Sequence, residues 1–302
     1  MKILFHYPQW GNRWIPYIER ELSRYDLTVT STEDSKELAR LSEGADVLFS
    51  AWLNEIVVFW SKYFPDKKII SYVRSYEIWK LDFYKKIDFQ KINALIFVSS
   101  FGKKAFNQLA KKLNVKLKCR QYIIPNGIDL KEFPYRTKRA GTNKIAMVCA
   151  LNLVKNIPLA LQVLMRLPEE YKIHLIGGLQ EVSLIPYIRN FKVKDRFITE
   201  DPVPKDKVCE WLMDKDFILS TSTREGNPNN IIEAMAMGIK PIIHSWPGAA
   251  DQFPPDCIFT TIDQAVYKIM ESKYQPGRYR DWVERFYSLD NYKELHYVFK
   301  EA

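Results

Sequence analysis

The stretch STSTREGNPNNIIEAMAMGIKPIIHSWPG, residues 220–248, is the part of the sequence that decides the fold. An apolar strand pattern ends just before it, and the sequence then predicts a polar loop, a helix over 230–237 and a strand over 240–244. Two carboxylates, Glu225 and Glu233, bracket the loop with seven residues between them. A strand that leads through a loop into a helix N-terminus is where open α/β sheets bind anions and nucleotides.

Glu233 has an alternative explanation in helix capping. If Asn230 is the N-cap, Glu233 stands three residues later, which is the spacing of a capping box that satisfies the free N–H groups of the first turn. This interpretation assigns no role to Glu225 or to the rest of the loop.

The rest of the chain repeats the same alternation of apolar strands and helices. Strands are predicted over 2–6, 27–30, 46–51, 68–73, 94–99, 122–124, 144–150, 172–176, 196–199, 217–220, 240–244 and 258–260. Helical patterns cover 14–23, 36–41, 56–63, 77–86, 101–113, 158–166, 182–191, 205–213, 230–237, 262–272, 279–287 and 291–301. The polar segment 135–143 is predicted to be a linker, so the sequence indicates two α/β halves, each with a parallel sheet covered on both faces.

Composition limits the class of protein. The 302 residues are 47% hydrophobic, which suits two domains and argues against disorder. No run reaches the ~18 apolar residues of a membrane span, no signal-peptide pattern opens the chain, and the four cysteines form no C-x-x-C pair. The first βα turn, residues 7–12, has one glycine and no G-x-G-x-x-G, which argues against a dinucleotide-binding Rossmann enzyme. A cytoplasmic protein is therefore expected.

Two motifs together resemble a known family. Residues 225–243, EGNPNNIIEAMAMGIKPII, resemble the E-x7-E signature of retaining glycosyltransferases with the GT-B fold, in particular glycosyltransferase family four. Residues 124–129, IPNGID, followed by Phe133, resemble a second motif of that family. The resemblance implies an α/β GT-B fold with two doubly wound Rossmann-like lobes facing across a cleft. It places an acceptor-side domain at 1–138 and a nucleotide-sugar domain at 139–277, with helices over about 278–302 packing back on the first.

The resemblance also implies a set of donor-site residues. Glu225 would hold hydroxyls of the donor sugar, Glu233 the ribose, and Lys155, in the turn LNLVKN at 151–156, the diphosphate. The family has an arginine five residues before this lysine, where the sequence has Ala150, so Asn152 or Arg224 would have to compensate. The catalytic candidates are Glu225 and Lys155, and the donor-binding candidates are Glu233, Gly226, Asn227, Pro228, Asn229, Asn230, Ile231, Asn152, Asn156, Arg224 and Gly177. The base is expected near 198–203.

Acceptor-side candidates lie in the first half. They are His6, Trp10, Gly11, Arg74 and Tyr76. Arg74 stands where the family often has a histidine, so it would bind a phosphate or carboxylate of the substrate, or form a salt bridge to Glu77 or another acid. The alternatives for His6 and Trp10 are structural, as a satisfied core histidine and as packing at a domain edge.

Metal and cofactor sites are not expected. Asp214, Lys215 and Asp216 look like a D-x-D metal motif, but Lys215 stands between the acids, and acids between a helix and a strand usually face solvent. The resembled family generally needs no divalent ion. The expected donor is a nucleotide-diphosphate sugar with either uridine or guanosine, and no further cofactor is implied.

The net charge of +9 is concentrated in the first half, where residues 1–134 hold 22 basic against 15 acidic residues. Such an excess fits nucleic acid, anionic lipid, an anionic acceptor or simply a solvated surface. The helix over 101–113 carries Lys103, Lys104, Lys111 and Lys112, which suggests peripheral contact with the inner face of an anionic membrane, although its apolar stripe also suits a core. The resemblance favours a glycan or lipid-linked acceptor and no nucleic acid.

The function expected from these features is a retaining, metal-independent glycosyltransferase. Two alternatives remain open at this point. One is a non-catalytic sugar- or nucleotide-binding subunit of a glycan assembly system, and the other is a nucleotide-sugar epimerase or hydrolase with the same fold.

Overall fold

The computed structural model describes residues 1–9 and 14–302. The chain forms two compact units, which are described separately below. Unit 1 consists of Met1–Ile128 and Leu289–Ala302, and unit 2 of Asp129–Ser288. In the described residues, no helix combines the length and the apolar character needed to cross a bilayer.

Unit 1 is a doubly wound α/β unit. Its elements are β1 (Lys2–His6), α1 (Ile15–Leu22), β2 (Asp26–Thr30), α2 (Ser35–Glu43), β3 (Val47–Ser50), α3 (Glu55–Tyr63), β4 (Lys68–Val73), α4 (Leu81–Lys86), β5 (Ala94–Phe97), α5 (Ser100–Lys112) and β6 (Arg120–Ile123). All the strand pairs are parallel, in the order β2-β1-β3-β4-β5-β6. The strand order reverses between β1 and β3, which makes the carboxyl ends of these strands the switch point of the sheet.

The two faces of this sheet carry separate apolar clusters. Phe5, Phe49 and Tyr72 pack on one face, and Leu4, Leu48 and Trp60 on the other. Leu4 and Phe5 in β1, and Leu48 and Phe49 in β3, point to opposite faces, as expected for a sheet that is buried on both faces.

Unit 2 has the same construction. Its elements are β7 (Lys144–Val148), α6 (Ile157–Arg166), β8 (Lys172–Ile176), α7 (Leu184–Asn190), β9 (Phe197–Glu200), α8 (Val208–Leu212), β10 (Phe217–Ser220), α9 (Asn229–Ala236), β11 (Lys240–His244), β12 (Ile258–Phe259), α10 (Ile262–Met270) and α11 (Pro276–Phe286). The parallel order is β12-β11-β10-β7-β8-β9, so the switch point lies between β7 and β10. The last helix, α12 (Glu294–Glu301), belongs to unit 1.

All twelve predicted strands are present, five of them with the predicted ends and the others with ends that differ by at most two residues. Three predicted helices are split instead. The predicted helix over 77–86 is a 3-10 turn (Tyr76–Trp79) followed by α4, because Lys80 between them has ψ 86, outside the helical region. The segments over 205–213 and 291–301 likewise begin as 3-10 turns, Lys205–Lys207 and Leu289–Lys293, before α8 and α12.

The C-terminal segment divides differently from the expectation. Helix α11 packs against α9 and so belongs to unit 2, and only the residues from Leu289 onward group with unit 1. The expected linker over 135–143 is also anchored in unit 2. The buried carboxylate of Asp216 accepts backbone hydrogen bonds from Gly141, Thr142 and Asn143 at 2.7–2.9 Å. The segment therefore has fixed backbone partners, which a polar composition alone does not reveal.

Candidate functional site

The carboxyl ends of β7 and β10 bring two loops of unit 2 together at its switch point. Residues 149–156 follow β7, and residues 221–228 follow β10. The loops are joined by the Thr221 hydroxyl, which donates to the Lys155 carbonyl at 2.7 Å, and by the Thr223 N–H, which donates to the Val154 carbonyl at 2.9 Å. The position of Lys155 relative to the second loop is therefore fixed by the backbone as well as by its side chain.

Lys155 and Glu225, the two catalytic candidates, are in direct contact. The Lys155 Nζ lies 2.6 Å from Glu225 Oε1, and the Ser222 hydroxyl donates to the same oxygen at 2.7 Å. The side chains are 22% and 14% exposed, so the pair is mostly shielded from water. Burial alone would lower the pKa of Lys155, but the Glu225 carboxylate outweighs that effect and raises the pKa above its usual value.

The Lys155 turn is held by two asparagines. Asn152 caps it, because its Oδ1 accepts the Lys155 N–H at 3.1 Å while its Nδ2 donates to Gln180 Oε1 at 2.8 Å. Asn156 has φ 49, in the left-handed region that asparagine tolerates better than most residues. Both candidates therefore shape the turn, and Asn152 is already engaged by two partners.

Helix α9 begins at Asn229 without a side-chain cap. Its N-cap is Pro228, and Asn230 lies inside the first turn, where its amide donates to the Val148 carbonyl at 2.9 Å. The capping-box interpretation of Asn230 and Glu233 is therefore wrong, because a residue inside the helix cannot cap it. The N–H of Ile231, one of the donor-binding candidates, donates to the Pro228 carbonyl at 3.2 Å and is therefore already engaged in the first turn.

The other end of α9 explains the GIKPII part of the motif. Gly238 has φ +81, and a side chain there would lie 2.5 Å from the Arg136 carbonyl oxygen. The N–H of Gly238 donates to the Met235 carbonyl and that of Ile239 to the Ala234 carbonyl, which is a Schellman ending. The glycine stops the helix and turns the chain directly into β11.

The loop between Glu225 and α9 is also held by hydrogen bonds to residues later in the chain. Asn227 is buried, and its Nδ2 donates to Gln252 Oε1 at 2.9 Å. The backbone carbonyl of Gln252 accepts the Tyr287 hydroxyl at 2.7 Å. Glu233 is 1% exposed, on the buried side of α9.

Gly177 and Gly178 differ in what surrounds them. A Cβ on Gly177 would lie 1.9 Å from the Cys149 carbonyl oxygen, and its φ is +155, so this position requires glycine for contact with the protein itself. A Cβ on Gly178 would meet nothing within 4 Å. Of the two, Gly178 is the one that leaves space for a ligand.

A cavity of about 350 Å³ adjoins this glycine turn. Residues 199–202 of the expected base region line it, and the full lining is Leu151, Gly177, Gly178, Leu179, Ile185, Ile188, Arg189, Thr199, Glu200, Asp201 and Pro202. Leu151 belongs to the same loop as Lys155, so the cavity and the ion pair lie along one edge of the sheet.

Arg224, the candidate to replace the arginine missing at 150, is half-buried next to Glu225 and makes no ion pair within residues 1–9 and 14–302.

The D-x-D pair has structural roles. Asp214 pairs with Lys144 and Lys215, and Asp216 is buried rather than facing solvent as expected, because it binds the backbone described above. No group of three possible metal-ligating side chains occurs in the described chain.

The acceptor-side candidates of unit 1 separate into different environments. His6 is 1% exposed, its Nε2 lies 3.1 Å from the Thr32 carbonyl, and burial lowers its pKa to about 4. Tyr76 starts the 3-10 turn and is half-buried. Trp10 and Gly11 lie outside the described residues.

Arg74 follows the last residue of β4 and is buried. The alternative of a salt bridge to Glu77 is wrong, because the Glu77 carboxylate instead accepts the backbone N–H groups of Arg74 and Ser75, at 3.4 and 2.9 Å. The Arg74 guanidinium donates to Ala51 and Asn126.

Three contributing residues were not anticipated from the sequence. Ser222 shares Glu225 with Lys155, Gln252 supports Asn227, and His244 Nδ1 lies 2.9 Å from the Ser222 carbonyl. The run of hydroxyl residues directly after β10 was a usable signal for Ser222, since such residues bond nearby loop groups. The sequence carries no comparable signal for Gln252.

Residues 130–257 match the family model of the glycosyl transferases group 1. No curated protein sequence matches the chain. Among solved structures, the chain is similar to Anabaena HepE in complex with UDP, at a TM-score of 0.77 and 13% identity, with 100% of each chain covered. It is also similar to the lipopolysaccharide outer core galactosyltransferase WaaB (TM-score 0.71, 19% identity, 99% of each chain). A third similar structure is sucrose-phosphate synthase from Thermosynechococcus elongatus (TM-score 0.78, 11% identity, 100% of this chain and 98% of that one).

These comparisons confirm the family resemblance inferred from the EGNPNN loop and the predicted α/β GT-B class with two Rossmann-like lobes. At such low identities the structural likeness establishes the fold, and the activity has to be argued from the site.

Proposed function

We propose that the protein is a retaining glycosyltransferase that moves a sugar from a nucleoside-diphosphate sugar to a hydroxyl acceptor without a metal ion. The observation that carries the proposal is the Lys155–Glu225 pair, shielded at the switch point of unit 2 beside the uncapped N-terminus of α9. Cation, carboxylate and helix N-terminus are the groups that a diphosphate and a sugar require side by side.

The leaving diphosphate is stabilised by two sources of positive charge. Lys155 Nζ has three donors, of which Glu225 uses one, so the others remain for phosphate oxygens. The first N–H groups of α9 point the positive end of the helix dipole at the same place. A lysine and a helix end supply here the charge stabilisation that a divalent ion supplies in other transferases.

Glu225 holds the sugar. Its Oε1 accepts from both Lys155 and Ser222, while its Oε2 accepts no hydrogen bond from the described residues. A carboxylate oxygen that is fixed in place and unused suits sugar hydroxyls, which donate hydrogen bonds. We assign Glu233, from the resemblance, to the ribose. Attack on the same face as the departing phosphate then retains the anomeric configuration.

The donor base is assigned to the 350 Å³ cavity beside Gly178. Uridine is the proposed base, since HepE has been solved with UDP and with UDP-glucose. In unit 1, we propose that the acceptor is a glycan or a lipid-linked sugar.

Contact with an anionic membrane surface on the cytoplasmic side is proposed through α5. Lys104, Lys111 and Lys112 are exposed, whereas Lys103 donates to the Gln121 carbonyl at 3.1 Å. The apolar stripe of this helix faces the core, with Phe106 fully buried, so the attraction is electrostatic and does not involve insertion.

The test is a panel of UDP-glucose, UDP-galactose, UDP-N-acetylglucosamine and GDP-mannose, each with and without hexyl glycoside acceptors and with and without EDTA. Release of nucleoside diphosphate only with an acceptor indicates transfer, and release without one indicates hydrolysis. Binding without release indicates a non-catalytic subunit. Product NMR reports the anomeric configuration. Glu225→Gln should lower turnover at least ~100-fold, or about 2.7 kcal/mol, whereas the exposed control Glu271→Gln should not.

A further inference from the structure

The guanidinium of Arg74 is enclosed by aromatic rings at the carboxyl end of β4. Its central carbon lies 3.1 Å from the ring centroid of Trp14, 4.3 Å from that of Tyr72 and 5.2 Å from that of Trp52. The residue is 7% exposed. Ring faces stabilise a cation from above and below, and they leave the donors in the guanidinium plane to find their own partners.

Two of the three nitrogens have partners, and both partners are uncharged. The Nε donates to the Ala51 carbonyl at 3.0 Å, and the Nη1 donates to Asn126 Oδ1 at 2.6 Å. The Nη2 is buried and makes no hydrogen bond with the part of the chain that the structure describes. These contacts fix the plane of the guanidinium and leave the two N–H groups of Nη2 unused.

The charge of Arg74 makes no ion pair with the described residues, although the buried Glu77 carboxylate is near enough to act on it. No carboxylate within residues 1–9 and 14–302 lies within ion-pair distance of the guanidinium, and the nearby Glu77 is bound to backbone N–H groups. Burial lowers the pKa of Arg74 to about 10, which still leaves it protonated at neutral pH. A buried cation without a counter-ion is costly, so its retention needs an explanation.

A second buried donor lies beside it. Among the described residues, the fully buried Tyr72 hydroxyl has no hydrogen-bond partner, and the Tyr292 hydroxyl donates a long bond of 3.4 Å to the Gly127 carbonyl. Both hydroxyls are close to Arg74, since ionising either tyrosine would affect the guanidinium, and both are uncharged at neutral pH because burial raises their pKa. A water molecule could accept one of these bonds but would leave the charge unbalanced, whereas an anion satisfies both requirements.

We propose that Arg74 binds an anionic group, a carboxylate or a phosphate, of the acceptor molecule. The site lies one strand from the switch point of unit 1, at the sheet edge where ligands reach parallel strands. The planar Nη2 edge, held in orientation by Ala51 and Asn126, suits the oxygens of such a group. That the molecule bearing this anionic group is the acceptor rests on the proposed function. That Arg74 binds an anionic group does not.

The experiment is calorimetric titration of the full-length protein with inorganic phosphate and, separately, with acetate. Saturating UDP is present so that phosphate does not occupy the Lys155 site. The variants are Arg74→Gln, Arg74→Lys and the control Arg40→Gln, whose arginine is exposed on α2 of the same unit. Circular dichroism verifies that each variant is folded. The stronger of the two probes identifies the class of anion.

The wild type and Arg40→Gln should bind one anion with equal affinity. Arg74→Gln should bind it at least ~10-fold more weakly, and Arg74→Lys should fall between them, because a lysine keeps the charge but loses the planar fork. Equal binding by the wild type and Arg74→Gln, or no binding by the wild type, would overturn the inference. The UDP titration in the same samples reports separately on the proposed function. If UDP does not bind, the phosphate titration is repeated in Lys155→Met, and the same two outcomes apply.

Discussion

Lys155 lies in the loop after β7, and Arg74 directly follows β4. Both are largely buried cations, but their positive charges have different partners. Lys155 in unit 2 has a carboxylate, Glu225, at 2.6 Å. Arg74 in unit 1 has three aromatic rings, two uncharged acceptors and a free Nη2. In the first site the lysine and the carboxylate form a direct ion pair, whereas in the second the arginine contacts no carboxylate among the described residues and Glu77 acts on it only from a distance.

The difference bears on what each site can bind. An anion at Lys155 has to share the lysine with Glu225, which suits a ligand that also offers hydroxyl donors to the carboxylate, as a nucleotide sugar does. At Arg74 no carboxylate of the described chain occupies the guanidinium donors, because the nearby Glu77 is bound to backbone N–H groups, so an anion would find Nη2 available. The two units therefore suit different parts of a transfer reaction, a donor with both hydroxyls and phosphates and an acceptor with one anionic group.

The largest expected effect concerns the stability of the paired site. Lys155→Met and Glu225→Gln should each lower the free energy of unfolding, Lys155→Met by about 3–4 kcal/mol, because each leaves a shielded group without its partner. The double variant should lose much less than the sum, because no charge then remains unpaired. Urea denaturation of the three variants and the wild type measures this coupling.

Arg74→Met is the matched comparison for that cycle. Arg74 makes no ion pair with the described residues, so its replacement leaves no carboxylate without a partner. In the absence of ligand, Arg74→Met should therefore lower the free energy of unfolding less than Lys155→Met does. Additive losses in the Lys155–Glu225 cycle, or a larger loss from Arg74→Met, would contradict the distinction between a paired and an unpaired cation.

A somewhat smaller effect is expected from His6, which is buried in unit 1 as a neutral ring rather than as a cation. Its pKa is about 4 when folded and 6.5 as the reference value, so the unfolded chain binds more protons between these values. Stability from this group is present above pH 6.5 and is lost as the pH falls toward 4, by roughly 3 kcal/mol in total.

The check is the pH dependence of unfolding for the wild type and His6→Gln. Subtracting the two curves removes the other groups that titrate in the same range. The difference should change between pH 6.5 and 4 and be flat from 7 to 8. A difference that is flat throughout would show that His6 is accessible to protons in the folded state.

The sequence predicted the elements of the site better than their contacts. The alternation of apolar strands and helices gave both parallel sheets, and the EGNPNN loop located the switch point of unit 2 because its residue types are specific to such a loop. The start of α9 was misplaced by one residue, which was enough to turn Asn230 from a predicted cap into a residue bonded to Val148.

Contacts between distant residues were beyond the sequence. Two of the rings around Arg74 come from Trp14 and Trp52, which lie on separate segments that the strand order brings to the end of β4. Gly177 shows the same limit, since its requirement for glycine arises from the carbonyl of Cys149, which no local pattern reports.

The central claim is that Lys155 binds the diphosphate of a nucleotide sugar, and titration with UDP and with uridine tests it most directly. Lys155→Met should weaken UDP binding about 30-fold, or about 2 kcal/mol, the loss expected for hydrogen bonds to a charged group. Uridine, which has no phosphates, should bind the wild type and the variant equally. Equal losses for both ligands, or no loss for either, would contradict the claim and return Lys155 to the role of a structural partner for Glu225.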